Sequence, residues 1–134
     1  MIDHHTALIY TMFLTAAADS DLTDGEMRTI GEIVRYLPVF RDYDIGKLSQ
    51  AARGCSQLMS EEDGLDDAFE MIKKALPPKL RETAYALACD VAAAERQISQ
   101  ETLRLLEMIC IELGIDRLSA AAIERGARAR HMTV

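Results

Sequence analysis

Hydrophobic positions recur at helical spacing along nearly the whole chain. Apolar side chains repeat every three to four residues, which is the period of an amphipathic α-helix. The pattern predicts seven helices with short polar loops between them, over about 3–18, 24–37, 45–59, 60–74, 78–94, 100–113 and 116–128. We therefore expect an all-α fold, a single compact helical bundle formed by one domain over residues 1–134.

The first two predicted helices have well-defined buried stripes. The expected stripe is Leu8, Ile9, Met12, Phe13 and Ala16 in the first helix, and Met27, Ile30, Val34 and Leu37 in the second. Thr23 precedes the second helix and Glu26 follows three positions later, which is the pattern of a capping box. Pro38 is expected to end this helix, because proline lacks the backbone N–H that a continuing helix needs.

Short polar residues and glycine place the other helix boundaries. Asp3 and Asp44 are predicted N-caps of the first and third helices, because their side chains can accept from backbone N–H groups. Ser60 is predicted to begin the fourth helix, with Asp63 at its N3 position. Gly114 is predicted to end the sixth helix, since glycine adopts the left-handed backbone that terminates helices.

The two ends of the chain match each other when one is displaced by 76 residues. Under this offset Ala16–Ala18 match Ala92–Ala94, Asp19 matches Glu95, and Thr23 matches Ser99. The apolar stripe of the second helix also matches that of the sixth. The match indicates a helix–loop–helix hairpin that occurs twice, over about 3–37 and 79–113. Chance similarity between two amphipathic hairpins is the alternative.

Composition narrows the class of protein. The chain has 19 Ala and 15 Leu but only 7 Gly, 3 Pro and no Trp, and its 49% apolar content excludes a disordered chain. No apolar run approaches the roughly 20 residues that a membrane span needs. The N-terminus lacks the pattern of a signal peptide, so a cytoplasmic location is expected. Cys55, Cys89 and Cys110 form no CxxC pair and are expected to be reduced thiols.

Negative charge is concentrated in two places. The formal net charge of -7 argues against a general nucleic-acid binder, because phosphate would be repelled. Asp19, Asp21, Asp24 and Glu26 lie within eight residues, and carboxylates this close repel one another unless a proton, a base or a cation compensates. Hard divalent cations prefer oxygen ligands, so this loop is a candidate metal site. Helix capping and turn chemistry are the alternative explanation.

The second acidic region is the predicted fourth helix. Its candidate partner-binding residues are Glu61, Glu62, Asp66, Asp67 and Glu70. They could form a docking surface for a basic or apolar protein. Alternatively they form a solvated face, because acids at the start of a helix and Lys73 and Lys74 at its end complement the helix dipole.

The chain resembles the tellurite-resistance TerB family. The resemblance is carried by Ala16–Asp19, by Thr23–Glu26, and by Val91–Glu95 before Ser99–Glu101. It implies an all-α fold of about seven helices, a role in bacterial stress resistance, and acidic residues that bind metal ions. Asp19 and Glu26 match the family's first acidic motif, and Glu95 matches the second. Ser20 and Arg96 stand where the family has glycine, and Arg96 could pair with Glu95.

Two functional hypotheses follow. The first is a non-enzymatic cytoplasmic stress-response protein of tellurite-resistance type that binds a divalent cation, such as calcium or magnesium. Its metal ligands would come from Asp19, Asp21, Asp24, Glu26 and Glu95. The second is a protein–protein interaction or scaffold module of a chaperone or stress complex that binds no metal. A dimer is compatible with either hypothesis. An enzyme is not expected, because the chain carries no nucleophile or cofactor motif.

Overall fold

Seven α-helices form a bundle in the computed structural model, which describes residues 1–19, 22–95 and 97–134. The helices are α1 (His4–Ala16), α2 (Asp24–Tyr36), α3 (Leu48–Met59), α4 (Gly64–Ala75), α5 (Arg81–Ala93), α6 (Gln100–Glu112) and α7 (Arg117–Arg130). Short 3₁₀ turns cover Pro38–Phe40, Ile45–Lys47 and Pro78–Leu80. The described residues contain no strand, which confirms the all-α prediction. None of their helices is both long and apolar enough to cross a membrane.

Helix α1 lies at the centre of the bundle. It packs most extensively against α5, α3 and α4, and it also contacts α2 and α6. The predicted apolar stripe of α1 is buried, but burial extends to every face, because all ten residues from Ala7 to Ala16 are buried. Thr11 and Thr15 tolerate this position because their hydroxyls donate to the carbonyls of Ala7 and Thr11 at 2.8 and 2.9 Å.

Helix α5 is the second central helix. Its most extensive contacts are with α1 and α7, and it also packs against α2 and α6. Asp90 on α5 holds the end of α7, because its Oδ1 lies 2.6 Å from Nη2 of Arg130 and 3.5 Å from Nε2 of His131. Tyr85, near the start of α5, contacts Glu124 in the middle of α7. The two helices therefore run in the same direction, and their C-terminal ends lie side by side.

Most of the predicted helix caps are confirmed, but Asp44 caps the 3₁₀ turn Ile45–Lys47, and α3 begins only after this turn, at Leu48. The Thr23 backbone N–H donates to Glu26 Oε1 at 3.0 Å, and the Glu26 N–H donates to Thr23 Oγ1 at 3.1 Å, which completes the capping box. Asp3 accepts from the Thr6 N–H at 2.8 Å. Gly114 ends α6 with a φ of 66°, as a left-handed terminating residue should.

The predicted start of the fourth helix is wrong. Ser60 is instead the C-cap of α3, and its N–H donates back to α3 carbonyls. Helix α4 begins at Gly64, with Asp63 as its N-cap rather than at N3. The turn is set by close packing, because a Cβ at Gly64 would lie 2.2 Å from the carbonyl oxygen of Leu58. Only glycine fits where α4 starts against the end of α3.

The buried stripe of α2 differs from the prediction at its first turn. Ile30 and Val34 are buried as predicted, but Met27 is 37% exposed and Leu37 is only partly buried. Glu26 takes the inward position instead of Met27 and is 4% exposed. The first turn of α2 therefore directs a carboxylate into the bundle, where an apolar side chain was expected.

Candidate functional site

The loop after α1 meets the loop after α5 at the start of α2. The Thr23 hydroxyl donates to Oε1 of Glu95, although the two residues are 72 positions apart in the chain. The same hydroxyl lies 3.1 Å from Oε1 of Glu26. Gly25 also lies beside Glu95, because a Cβ at Gly25 would be 3.8 Å from Glu95 Oε1. Two of the predicted metal ligands, Glu26 and Glu95, are thus brought to one threonine.

Glu26 is in an unusual environment for a carboxylate. Burial raises its pKa above the ordinary value, and the charges of Glu95 and Asp19 raise it further. Hydrogen bonds from the Thr23 backbone and side chain act in the opposite direction and lower the pKa. Since burial is the largest of these effects, the ionised form of Glu26 is poorly stabilised by its surroundings.

The Thr23 hydroxyl cannot satisfy both carboxylates. It carries one proton, and that proton can be donated to Glu26 or to Glu95 but not fully to both. Its oxygen already accepts from the Glu26 backbone N–H at 3.1 Å. Two carboxylates therefore share one donor, and a proton or a cation would relieve the repulsion between them.

The other predicted ligands are Asp19, Asp21 and Asp24. Asp19 is exposed at the end of α1 and acts on Glu26 through its charge. Asp24 is exposed in the first turn of α2, where acids complement the helix dipole. Among the described residues, no hydrogen bond or ion pair joins the Asp24 side chain to Thr23 or Glu95. Asp21 lies outside the described residues, as does Arg96, which was predicted to pair with Glu95.

No complete ligand set is assembled by the residues that the structure covers. Over 1–19, 22–95 and 97–134, no group of three or more His, Cys, Asp and Glu side chains is arranged to hold a metal ion. The described core of the site is two carboxylates and one hydroxyl, with Asp19 nearby. Metal binding at this site therefore stays a prediction.

The acidic residues predicted to bind a partner lie on and just before α4. Glu61 and Glu62 belong to the turn after α3, Asp66 and Asp67 lie in the first turn of α4, and all are exposed, as is Glu70. Glu70 pairs with Lys74 at 3.3 Å across one helical turn. Such exposed pairs contribute about 0–1 kcal/mol. The surface is therefore accessible to solvent and to a partner.

A groove between α5, α6 and α7 was not predicted from the sequence. Its volume is about 700 Å³, and its apolar lining includes Cys89, Ala92, Ala93, Leu103 and Leu106. Leu103, Leu106 and Cys110 belong to the apolar stripe of the sixth helix that the sequence matched to the second, and they line the groove instead of lying wholly in the core. The sequence signal for the groove is weak because it resembles an ordinary core stripe.

Polar side chains also line this groove, among them a tyrosine hydroxyl, two thiols and a carboxylate. The Tyr85 hydroxyl donates to Glu124 Oε2 at 2.5 Å, and burial together with Glu124 raises the pKa of Tyr85. Burial raises the pKa of Cys89 to about 12. Cys89 and Cys110 are free and remain protonated at neutral pH, since burial also raises the pKa of Cys110. Neither thiol has the lowered pKa that a nucleophilic cysteine needs.

Compared with known proteins, the chain matches no family model, no curated protein and no solved structure. The resemblance to the TerB family therefore stays a prediction carried by its short motifs. A functional proposal has to start from the geometry of the sites, since a helical bundle by itself does not define an activity.

Proposed function

We propose that this chain is a non-enzymatic cytoplasmic stress-response protein of tellurite-resistance type that binds a divalent cation where its two helix hairpins meet. One observation carries the proposal: Glu26 and Glu95, from distant parts of the chain, reach the same Thr23 hydroxyl. The proposal is supported by the burial of Glu26, which leaves its negative charge without sufficient solvation.

Each side chain would have a defined role in this site. Glu26 and Glu95 would supply carboxylate oxygens and Thr23 a neutral oxygen, while Asp19 would add negative charge. Asp21 and Asp24 stay candidate ligands from the same loop and helix start. Calcium or magnesium suits such oxygen ligands, and water could complete the coordination. A bound cation would remove the repulsion between two carboxylates and tie the loops together.

Calorimetric titration of the purified chain with calcium, magnesium, manganese and zinc tests this proposal. We expect heat of binding for at least one cation and a rise in melting temperature. A cation at 100 times its Kd stabilises the folded state by about 2.7 kcal/mol. Absence of heat and of any thermal shift with all four cations would contradict the proposal.

Two variants locate the binding. Glu26→Gln keeps an oxygen that can accept from the Thr23 N–H but removes the charge, and Glu95→Gln removes the charge of the opposite loop. We expect both to reduce cation affinity at least about tenfold. Asp67→Asn is the matched control, because Asp67 is exposed on α4. A cation that binds all three variants equally well would place the site elsewhere.

We also propose that the two hairpins, about 3–37 and 79–113, are copies of one unit. In support, α2 and α6 each have 13 residues, and their bounds differ by the same 76 positions as the sequence match. Both begin after a hydroxyl residue that accepts from the N–H three positions later, Thr23 for α2 and Ser99 for α6.

The second candidate function is a protein-interaction module without a metal. It is favoured by the exposure of all five acidic residues on and before α4. A basic partner would be retained by the wild-type chain and lost by the double variant Glu61→Lys, Asp66→Lys. If the yield of captured partner is the same with both chains, the acidic residues are a solvated face.

A further inference from the structure

The groove between α5, α6 and α7 has the size of a small-molecule site. Its volume of about 700 Å³ falls within the range of about 300–1,000 Å³ that is typical of ligand pockets. Helices α6 and α7 both pack on α5 but make little contact with each other, so the groove lies between them. Ala92 and Ala93 form part of its floor, and these small side chains leave space above α5.

The walls provide apolar surface for an elongated ligand. Leu103 and Leu106 line the α6 side, and Met132 follows the end of α7. Leu103 is 46% exposed and Met132 is 69% exposed. A ligand with an apolar body would cover these side chains and remove them from water, which favours binding.

The charges around the groove favour a positive head group. Among the described lining residues there are three carboxylates, Glu95, Glu107 and Glu124, against one guanidinium, that of Arg128, and the imidazole of His131. The C-terminal ends of α5 and α7 lie side by side at one end of the groove, because Asp90 contacts Arg130 and His131. Free carbonyl groups at helix C-termini add negative potential there.

Glu107 is the carboxylate best placed to receive this head group. Glu95 already accepts from Thr23, and Glu124 already accepts from Tyr85. Glu107 is exposed on the α6 wall. Within the described part of the chain it has neither an ion pair nor a side-chain hydrogen bond, so its charge is available to a ligand.

We propose that the groove binds a small amphipathic cation, an apolar chain that ends in a primary ammonium group. The chain would lie on Ala92 and Ala93 beside Leu103, and the ammonium would pair with Glu107. The groove and the cation site at Thr23 share Glu95, but neither Glu26 nor Thr23 lines the groove, so a change at Glu26 separates the two proposals.

Three probes with the same chain and different heads test this proposal. Octylammonium, 1-octanol and octanoate are titrated below any micelle-forming concentration into the full chain, and binding is followed by the methyl resonances of the protein. We expect octylammonium to bind at least about fivefold more tightly than 1-octanol, with octanoate the weakest. The largest shifts should fall on Ala92, Ala93, Leu103 and Met132.

Variants separate the head group from the chain. Glu107→Gln should weaken octylammonium about fivefold and leave 1-octanol unchanged, whereas Glu32→Gln, at an exposed position on α2, should change neither. Ala93→Leu should weaken all three probes by filling the floor. Glu26→Gln should keep octylammonium binding, which separates this proposal from the metal site.

The proposal is overturned by equal affinity for the three probes, by a preference for octanoate, or by no detectable binding of octylammonium. It is also overturned if Glu107→Gln leaves the preference for octylammonium intact, or if the shifted methyl groups lie outside the groove.

Discussion

The hairpins α1–α2 and α5–α6 have helices of the same length, but at one matching position the first has a carboxylate and the second a neutral hydroxyl. The third residue of α2 is Glu26, 4% exposed, and the third residue of α6 is Thr102, 6% exposed. Thr102 is satisfied by Ser99, whose Oγ lies 2.9 Å from its Oγ1. Burial of a neutral hydroxyl at this position costs little once it is hydrogen-bonded, whereas burial of a carboxylate leaves a charge for a proton or a cation to neutralise.

The central helices of the two hairpins also differ in how completely they are covered. Every residue of α1 from Ala7 to Ala16 is buried, and only its first turn, from His4 to Thr6, is partly exposed. Helix α5 alternates buried residues with half-buried ones, and the groove runs along its remaining face. A ligand can therefore contact the outer face of α5, whereas α1 is covered by its neighbours from Ala7 to Ala16.

Truncation of two matching core residues, Ile30 on α2 and Leu106 on α6, should give the largest difference between the hairpins. We expect Ile30→Ala to reduce the free energy of unfolding by about 4 kcal/mol, because Ile30 is fully buried and leaves a closed cavity. Leu106→Ala should cost only about 2 kcal/mol, because Leu106 lines the groove and solvent can enter the space. Urea denaturation measures both values. Equal losses would mean that the groove is closed in solution.

Removal of the two matching caps should give a smaller difference. Thr23→Ala loses the acceptor for the Glu26 N–H and also the donor to Glu95, so we expect a cost of about 2 kcal/mol. Ser99→Ala loses only its cap interactions and should cost about 1 kcal/mol. Thr23→Ser is the control that keeps the hydroxyl. If both alanine variants lose the same stability, the link between the loops contributes nothing.

Neutralisation of Glu26 should produce the smallest effect and the clearest pH dependence. Without added cation, Glu26→Gln should raise stability at pH 7 by roughly 0.5–1 kcal/mol, because it removes a buried charge and keeps an acceptor for Thr23. The folded state holds the Glu26 proton more tightly than the unfolded chain does, since its pKa is raised.

Wild-type stability should therefore fall, relative to the variant, as the pH rises from the ordinary glutamate range, about 4.3, through the raised pKa. Urea denaturation of both chains at pH 4 and pH 7 measures this difference. If the variant is less stable than wild type at pH 7, Glu26 is held by favourable interactions and the burial argument fails.

Local signals in the sequence predicted most of the helix boundaries. The capping box of Thr23 and Glu26 and the terminating Gly114 depend on residues close in the chain, so their geometry follows from local chemistry. Ser60 failed as a helix start because the turn before α4 is set by the approach of Gly64 to Leu58. That approach depends on how α3 and α4 pack, which no local pattern contains.

The candidate sites were only partly predictable for the same reason. Clustered acids and the 76-residue match pointed to Glu26 and Glu95, but the burial of Glu26 and the pairing of Glu95 with Thr23 depend on the meeting of two loops. The groove depends on which helices surround α5 and on the small contact between α6 and α7. The spacing of apolar residues along one helix does not show whether three helices leave a groove between them.

The burial of α1 from Ala7 to Ala16 has a consequence for folding during synthesis. Its apolar residues leave the ribosome before those of α5, the helix with which α1 makes its most extensive contact and which ends 77 positions later in the chain. At translation rates of about 5–20 residues per second, roughly 4–15 s pass before this partner is complete. During that interval α1 lacks its most extensive packing partner, and slower translation or scarce chaperones should lower the yield of folded protein.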